Sequence, residues 1–86
     1  MKKNVFEICG MRRAKEEKTG RSIIQLCFLT EKEDFDGFYV EKATCYPENV
    51  SYASPELEAR GVVLNAQCKI FWERNSYRIE ELFIIA

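Results

Sequence analysis

The sequence of 86 residues contains no histidine, and none of its four cysteines form a Cys-x-x-Cys pair. Histidine is the commonest general base, and zinc sites draw on closely spaced cysteine and histidine ligands. Cys9, Cys27, Cys45 and Cys68 are instead separated by 18, 18 and 23 residues, and each stands in an apolar run. We therefore expect reduced cysteines that pack as small apolar side chains, and no metal site.

Signatures of catalysis are also missing. The chain has no glycine-rich phosphate loop, no Gly-x-Ser-x-Gly motif and no acid–histidine pair. A cysteine nucleophile needs an activating neighbour, and no such neighbour can be identified. The sequence therefore predicts a protein that is not an enzyme and that uses no cofactor.

Long apolar runs are absent too. No stretch approaches the roughly 18 apolar residues of a membrane span, and the first residues do not form an export signal. With 47% apolar and 31% charged residues, the composition is that of a folded chain. We expect one domain over residues 1–86, located in the cytoplasm.

Acidic and basic residues are unevenly distributed along the chain. Residues 1–21 carry seven basic and three acidic side chains, a net charge of +4, whereas residues 22–86 carry six and eleven, a net charge of −5. Proteins that coat nucleic acid usually have a basic excess overall. This chain offers only a local basic patch, within residues 1–21. The alternative interpretation is that these charges belong to a solvated loop without a binding role.

Alternation of apolar and polar residues predicts a mainly β fold with five strands and one short helix. The strands are expected at residues 5–11, 22–30, 38–45, 62–74 and 77–86. The helix is expected between the third and fourth strands, capped by Ser54 with Pro55 behind it and stopped at Gly61. This order matches an OB-like Greek-key barrel, and an open meander or an SH3-like barrel are alternatives.

The period of two also assigns faces to the strands. In the second strand, Ile24, Leu26 and Phe28 share a face that we expect to be buried. The fourth strand has one apolar face, formed by Leu64, Ala66, Cys68, Ile70 and Trp72. The end of the last strand, residues 82–86, is apolar on both faces, which suggests burial on both sides in the fold or in a dimer.

Basic and aromatic side chains together suggest a nucleic-acid surface. Proteins that bind single strands without sequence preference combine a basic groove with aromatic side chains on which bases stack. The first loop is expected to present Arg12, Arg13, Lys15, Lys18 and Arg21. Lys42 and Lys69 would extend that surface across the sheet, and Tyr39 and Phe71 would stack on bases. Packing in a sheet dimer is the alternative role for these two aromatic residues.

A second hypothesis is a protein–protein module, an accessory or inhibitory subunit. It would use the apolar last strand and an acidic surface composed of Glu31, Glu33, Asp34, Asp36, Glu56 and Glu58. The overall charge favours this hypothesis, whereas the basic first loop and the aromatic residues favour the first one.

Short motifs connect the chain to a known family. Gly20 and Arg21 precede the second strand, whose residues 25–29 read Gln-Leu-Cys-Phe-Leu, and residues 52–55 read Tyr-Ala-Ser-Pro. On these motifs, residues 18–86 resemble the small single-stranded-DNA-binding proteins of filamentous phages. The resemblance implies a phage or plasmid protein that coats single-stranded DNA as an OB-type homodimer. The basic and aromatic residues leave RNA open as the alternative ligand. The resemblance also implies that Arg21 contacts phosphate and that Phe28 packs in the barrel.

Overall fold

The computed structural model describes residues 5–31, 33–74 and 78–86. These residues form six strands, one α-helix and a single 3-10 turn. The strands are β1 (Phe6–Lys15), β2 (Ser22–Thr30), β3 (Tyr39–Cys45), β4 (Val50–Tyr52), β5 (Gln67–Trp72) and β6 (Ile79–Ile84). The helix α1 spans Pro55–Arg60, and the 3-10 turn spans Pro47–Asn49. The prediction of a mainly β protein is confirmed.

All six strands belong to one mixed sheet in the order β3-β2-β1-β5-β6-β4. Neighbouring strands are antiparallel except β4 and β6, which run parallel. The prediction of five strands is wrong, because β4 forms inside the segment expected to be a connection. No continuous ladder closes the sheet among the described residues. A single parallel bridge between Thr44 and Arg78 connects β3 to the residue before β6.

The core lies on one face of the sheet, as the alternation in β2 predicts. Ile24, Leu26 and Phe28 are buried there, and the Phe28 ring lies 6.5 Å from the Phe6 ring. Ile8 is paired with Phe28 and is also fully buried. The other buried core residues are Ala43, Cys45, Val62, Ala66, Cys68, Ile79, Leu82 and Ile84.

Strand β1 extends four residues beyond its predicted end at Met11. Its polar residues 12–15 pair with residues 22–25 of β2, after a β-bulge between Ile8 and Gly10. The hairpin turn is closed by backbone hydrogen bonds between Glu16 and Arg21 and between Gly20 and Glu16, both 2.9 Å. The prediction of a loop at residues 12–15 is therefore wrong, because ladder bonds to β2 order a segment without an apolar pattern.

Helix α1 occupies the predicted place. The Ser54 hydroxyl accepts a hydrogen bond from the Leu57 backbone N–H at 3.3 Å, and Pro55 begins the helix. Gly61 ends it with φ of 78°, a left-handed conformation that glycine adopts without steric cost. Leu57 packs against the core, so this short helix covers one part of the sheet.

Strand β5 begins five residues later than predicted, because a turn at Leu64 and Asn65 precedes it. Asn65 has a φ of 68°, and its backbone N–H donates to the Ile8 carbonyl at 2.8 Å. Leu64 and Trp72 are exposed, although the alternation places both on the buried face. Ala66 and Cys68 are buried as predicted.

Strand β6 is amphipathic. Ile79, Leu82 and Ile84 are buried, whereas Phe83 and Ile85 are half-buried. The expectation of burial on both faces is therefore not met within the chain. The predicted start at Tyr77 lies outside the described residues. No helix in the described part of the chain is long and apolar enough to cross a membrane.

Candidate nucleic-acid interface

A shallow groove of about 580 Å³ lies on the sheet face opposite the core, across β1, β2 and β3. Because Ile24, Leu26 and Phe28 point into the core, Gln25 and Cys27 point to this outer face. Pairing then brings side chains from three strands together, since Arg12 lies opposite Gln25, Gln25 opposite Thr44, and Cys27 opposite Lys42. We call this the sheet groove. Its lining residues are Met11, Arg12, Gln25, Leu26, Cys27, Lys42, Ala43 and Thr44.

The sheet groove is electropositive. Among the described residues, Arg12 and Lys42 are the charged ones that line it, and no described carboxylate does. Arg12 Nε donates a hydrogen bond to Gln25 Oε1 at 2.9 Å, which orients the guanidinium along the groove. Lys42 is exposed, and none of the described carboxylates lies within ion-pair distance of it. Two strand spacings and two residues separate Arg12 from Lys42, so their Cα atoms lie about 12 Å apart.

Three other predicted basic residues, Arg13, Lys15 and Lys18, are exposed near the β1–β2 turn. Arg13 and Lys15 lie in β1, not in a loop, and Lys18 lies in the turn itself. Arg13 and Lys15 border a second shallow groove of about 410 Å³, which we call the hairpin groove. Its lining residues are Arg13, Ala14, Lys15, Ser22, Ile23, Ile24 and Pro47.

Arg21 belongs to a cluster of intramolecular polar contacts around Tyr46. Its guanidinium carbon lies 3.9 Å from the centre of the Tyr46 ring, and its Nη2 lies 3.0 Å from Glu48 Oε1. On the same ring, Arg78 lies at 4.9 Å and donates from Nη1 to the Tyr46 hydroxyl at 2.8 Å. The structure therefore places Arg21, the residue expected to contact phosphate, in cation–π and ion-pair contacts within the chain.

Glu16 completes this tyrosine cluster of Glu16, Arg21, Tyr46, Glu48 and Arg78. The Tyr46 hydroxyl donates to Glu16 Oε1 at 2.8 Å, and Arg78 Nη2 lies 3.6 Å from Glu16 Oε2. The hydrogen bond from Tyr46 lowers the pKa of Glu16 and raises the pKa of Tyr46. The cluster connects the β1–β2 turn, the end of β3 and the residue before β6.

The remaining predicted site residues lie away from the sheet groove. Lys69 and Phe71 are on β5. Among the described residues of β1, only Phe6 and Glu7 pair with β5, and they lie at the opposite end of β1 from Arg12. Tyr39 is three residues before Lys42 in β3, an odd number that turns its side chain to the other face. Its ring packs edge-on against Phe35 at 5.6 Å. Neither Tyr39 nor Phe71 lines the sheet groove.

Sequence reasoning missed Gln25, Thr44 and the tyrosine cluster. The outward direction of Gln25 follows from the alternation in β2, so that signal was present in the sequence. Contacts of Tyr46 with Glu16 and Arg78 join residues that are 30 and 32 positions apart in the sequence, a separation that no local pattern specifies.

The thiols of the two buried cysteines, Cys45 and Cys68, are expected to react slowly. Burial raises the pKa of Cys45 to about 11 and that of Cys68 to about 12, which disfavours the reactive thiolate. Cys9 is exposed, and Cys27 is half-buried in the sheet groove. Over the described residues, no three histidine, cysteine or acidic side chains are grouped to hold a metal ion.

Comparisons with known proteins give no relative. No protein family, no curated protein and no solved structure matches this chain.

Proposed function

We propose that the protein binds single-stranded nucleic acid in the sheet groove without reading its sequence. The observation that carries the proposal is the pair of cations, Arg12 and Lys42, in a groove that no carboxylate lines. A polyanion gains Coulomb energy and releases counterions at such a surface. The acidic residues that give the chain its net negative charge do not line this groove.

The architecture supports the same proposal. β1, β2 and β3 form a meander, β5 pairs with β1 and β6, and the parallel Thr44–Arg78 bridge brings the end of β3 to the start of β6. This strand order supports an OB-like Greek-key arrangement as part of the proposal, with β4 added at the edge of a sheet that no continuous ladder closes among the described residues. OB-folds bind oligonucleotides on the face of their second and third strands, where the sheet groove lies.

Binding would depend mainly on charge. Arg12 and Lys42 contact two phosphates, while the Gln25 amide and the Thr44 hydroxyl offer hydrogen bonds to sugars or base edges. Since Tyr39 and Phe71 lie outside the groove, base stacking on them is not part of the proposal. The function is of the kind performed by the single-stranded-DNA-binding proteins of filamentous phages.

The test is a titration of labelled oligo-dT and the matching duplex, followed by fluorescence anisotropy. The variant Arg12→Gln/Lys42→Gln should bind oligo-dT more weakly than the wild type. Its slope of log K against log salt should be smaller by about 1.4, because each lost phosphate contact on a single strand removes about 0.7.

The matched control is Arg60→Gln/Lys69→Gln, which removes the same charge from α1 and β5. This control should retain nearly the affinity of the wild type. Equal losses in the two variants would show that overall charge, not the groove, determines binding. Absence of binding to single-stranded DNA and RNA at low salt would overturn the proposal.

The alternative function, a protein-interaction module, has one specific observation in its favour. Phe35 and Phe38 are 51% and 69% exposed beside the acidic residues Glu33, Asp34 and Asp36. The apolar last strand does not support it to the same degree, since Ile79, Leu82 and Ile84 are buried within the chain. Glu56 and Glu58 lie on α1, a separate element.

A further inference from the structure

The turn between β2 and β3 combines exposed phenylalanines with negative charge. Phe35 and Phe38 are among the most exposed large apolar side chains described, and Phe35 is held against the Tyr39 ring. The acidic residues Glu31, Glu33, Asp34 and Asp36 lie within a few residues of them in the sequence, and all four are exposed. With Lys32 included, residues 31–38 carry a net charge of −3. We call residues 31–38 the acidic tip.

The hairpin groove has the complementary chemistry. Pro47 and the half-buried Ala14 contribute accessible apolar surface above the buried Ile23 and Ile24, while Arg13 and Lys15 contribute positive charge. No described carboxylate lines the groove. Its volume of about 410 Å³ gives room for an aromatic side chain. The groove therefore suits a segment that carries phenylalanine next to aspartate or glutamate.

The two surfaces cannot meet within one molecule. Ser22 at the start of β2 borders the hairpin groove, and Thr30 at its end leads into the acidic tip. The eight residue steps from Ser22 to Thr30 keep the two ends of β2 about 27 Å apart. Each molecule therefore carries a positive apolar groove at one end and a negative aromatic tip at the other.

We propose that the acidic tip of one copy docks into the hairpin groove of a second copy, so that copies associate head to tail. Charge complementarity identifies a second copy as the occupant, because both partners of the contact are present on every molecule. Such a contact is heterologous and does not close upon itself unless its rotation forms a ring. The sheet groove and the hairpin groove have no lining residue in common. The sheet groove therefore stays open in the assembly.

The contact is small. A stable interface usually buries about 800 Å² on each partner, and an eight-residue tip provides less. We therefore expect weak association that increases with protein concentration and decreases with salt, as rim charges are screened. This inference concerns the protein alone and does not rest on nucleic-acid binding.

The test is sedimentation velocity without nucleic acid on two charge-reversed variants, Asp34→Lys/Asp36→Lys and Arg13→Glu/Lys15→Glu. The wild type should sediment faster as its concentration rises at low salt. In each variant the contact becomes like-charged, so its association constant should fall about tenfold or more. Circular dichroism checks that both variants keep the fold.

Mixing the two variants in equal amounts should restore association. The acidic tip of one variant then meets the unaltered groove of the other, and the reversed surfaces also complement each other. A wild type that stays monomeric at high concentration and low salt would overturn the inference. So would association that persists in both variants alone, or a mixture that does not associate. If Arg13→Glu/Lys15→Glu loses oligo-dT binding while the wild type stays monomeric, the hairpin groove binds nucleic acid instead.

Discussion

The four free cysteines provide a direct probe of the interior, because two of them are buried and two are accessible. Cys45 and Cys68 are fully buried, whereas Cys9 is exposed and Cys27 is half-buried. We expect a disulfide reagent such as DTNB to modify Cys9 and Cys27 rapidly in the native protein. Cys45 and Cys68 should react only as the protein unfolds.

The size of the difference follows from the pKa values. Burial raises the pKa of Cys45 from 9.0 to about 11 and that of Cys68 to about 12. At pH 8 the thiolate fraction therefore falls about 100-fold for Cys45 and about 1,000-fold for Cys68. Exclusion of the reagent from the core slows both reactions further, since attack requires opening of the structure.

The assay is absorbance of the released thiolate in buffer and in urea, with mass spectrometry of the peptides to assign each site. The expected result is two rapid equivalents in buffer and four in urea. Rapid labelling of Cys45 or Cys68 in the native protein would refute the burial of these two side chains. The exposed-thiol variant Cys9→Ser should lose one rapid equivalent and keep the slow pair unchanged.

Three further predictions concern stability. Phe28→Ala should lower the free energy of unfolding by about 3–5 kcal/mol, whereas Phe38→Ala, at an exposed site, should change it by less than about 0.5 kcal/mol; equal effects in urea denaturation would contradict the core assignment. Ser54→Ala should cost about 1 kcal/mol by removing the cap of α1, and an unchanged urea midpoint would contradict that role. Because the pKa of Glu16 is lowered from 4.5 in the folded protein, its charge stabilises the fold above that value, and this contribution is lost as the pH falls through the folded pKa. The free energy of unfolding of Glu16→Gln should therefore depend less on pH in the acidic range than that of the wild type. Parallel profiles of stability against pH would exclude this contribution.

Local signals in the sequence were sufficient where the chain's own neighbours decide the structure. The bounds of β2 and α1 were predicted because β2 alternates in period two and α1 has a serine cap, a proline start and a glycine stop. The extent of β1 was underestimated because residues 12–15 are ordered by pairing with β2, not by their own apolar pattern. The turn at Asn65 was missed because the apolar residues around it continue the strand pattern.

The same distinction applies to the site. Arg12 and Lys42 were both predicted, and the structure brings them to one groove because β1 and β3 flank β2. Tyr39 and Phe71 were grouped with them by composition, but strand parity and sheet order place these residues elsewhere. Arg21 was expected to be available on the surface loop. Its guanidinium instead contacts the Tyr46 ring and pairs with Glu48, and both residues are more than 20 positions away in the sequence.

Binding in the sheet groove can be tested through the alkylation rate of Cys27, measured with and without saturating oligo-dT. Cys27 lies in the sheet groove directly opposite Lys42, so a bound strand should cover its thiol. We predict that iodoacetamide modifies Cys27 several times more slowly in the complex, and that high salt restores the rate. An unchanged Cys27 rate while oligo-dT is bound would contradict binding in this groove.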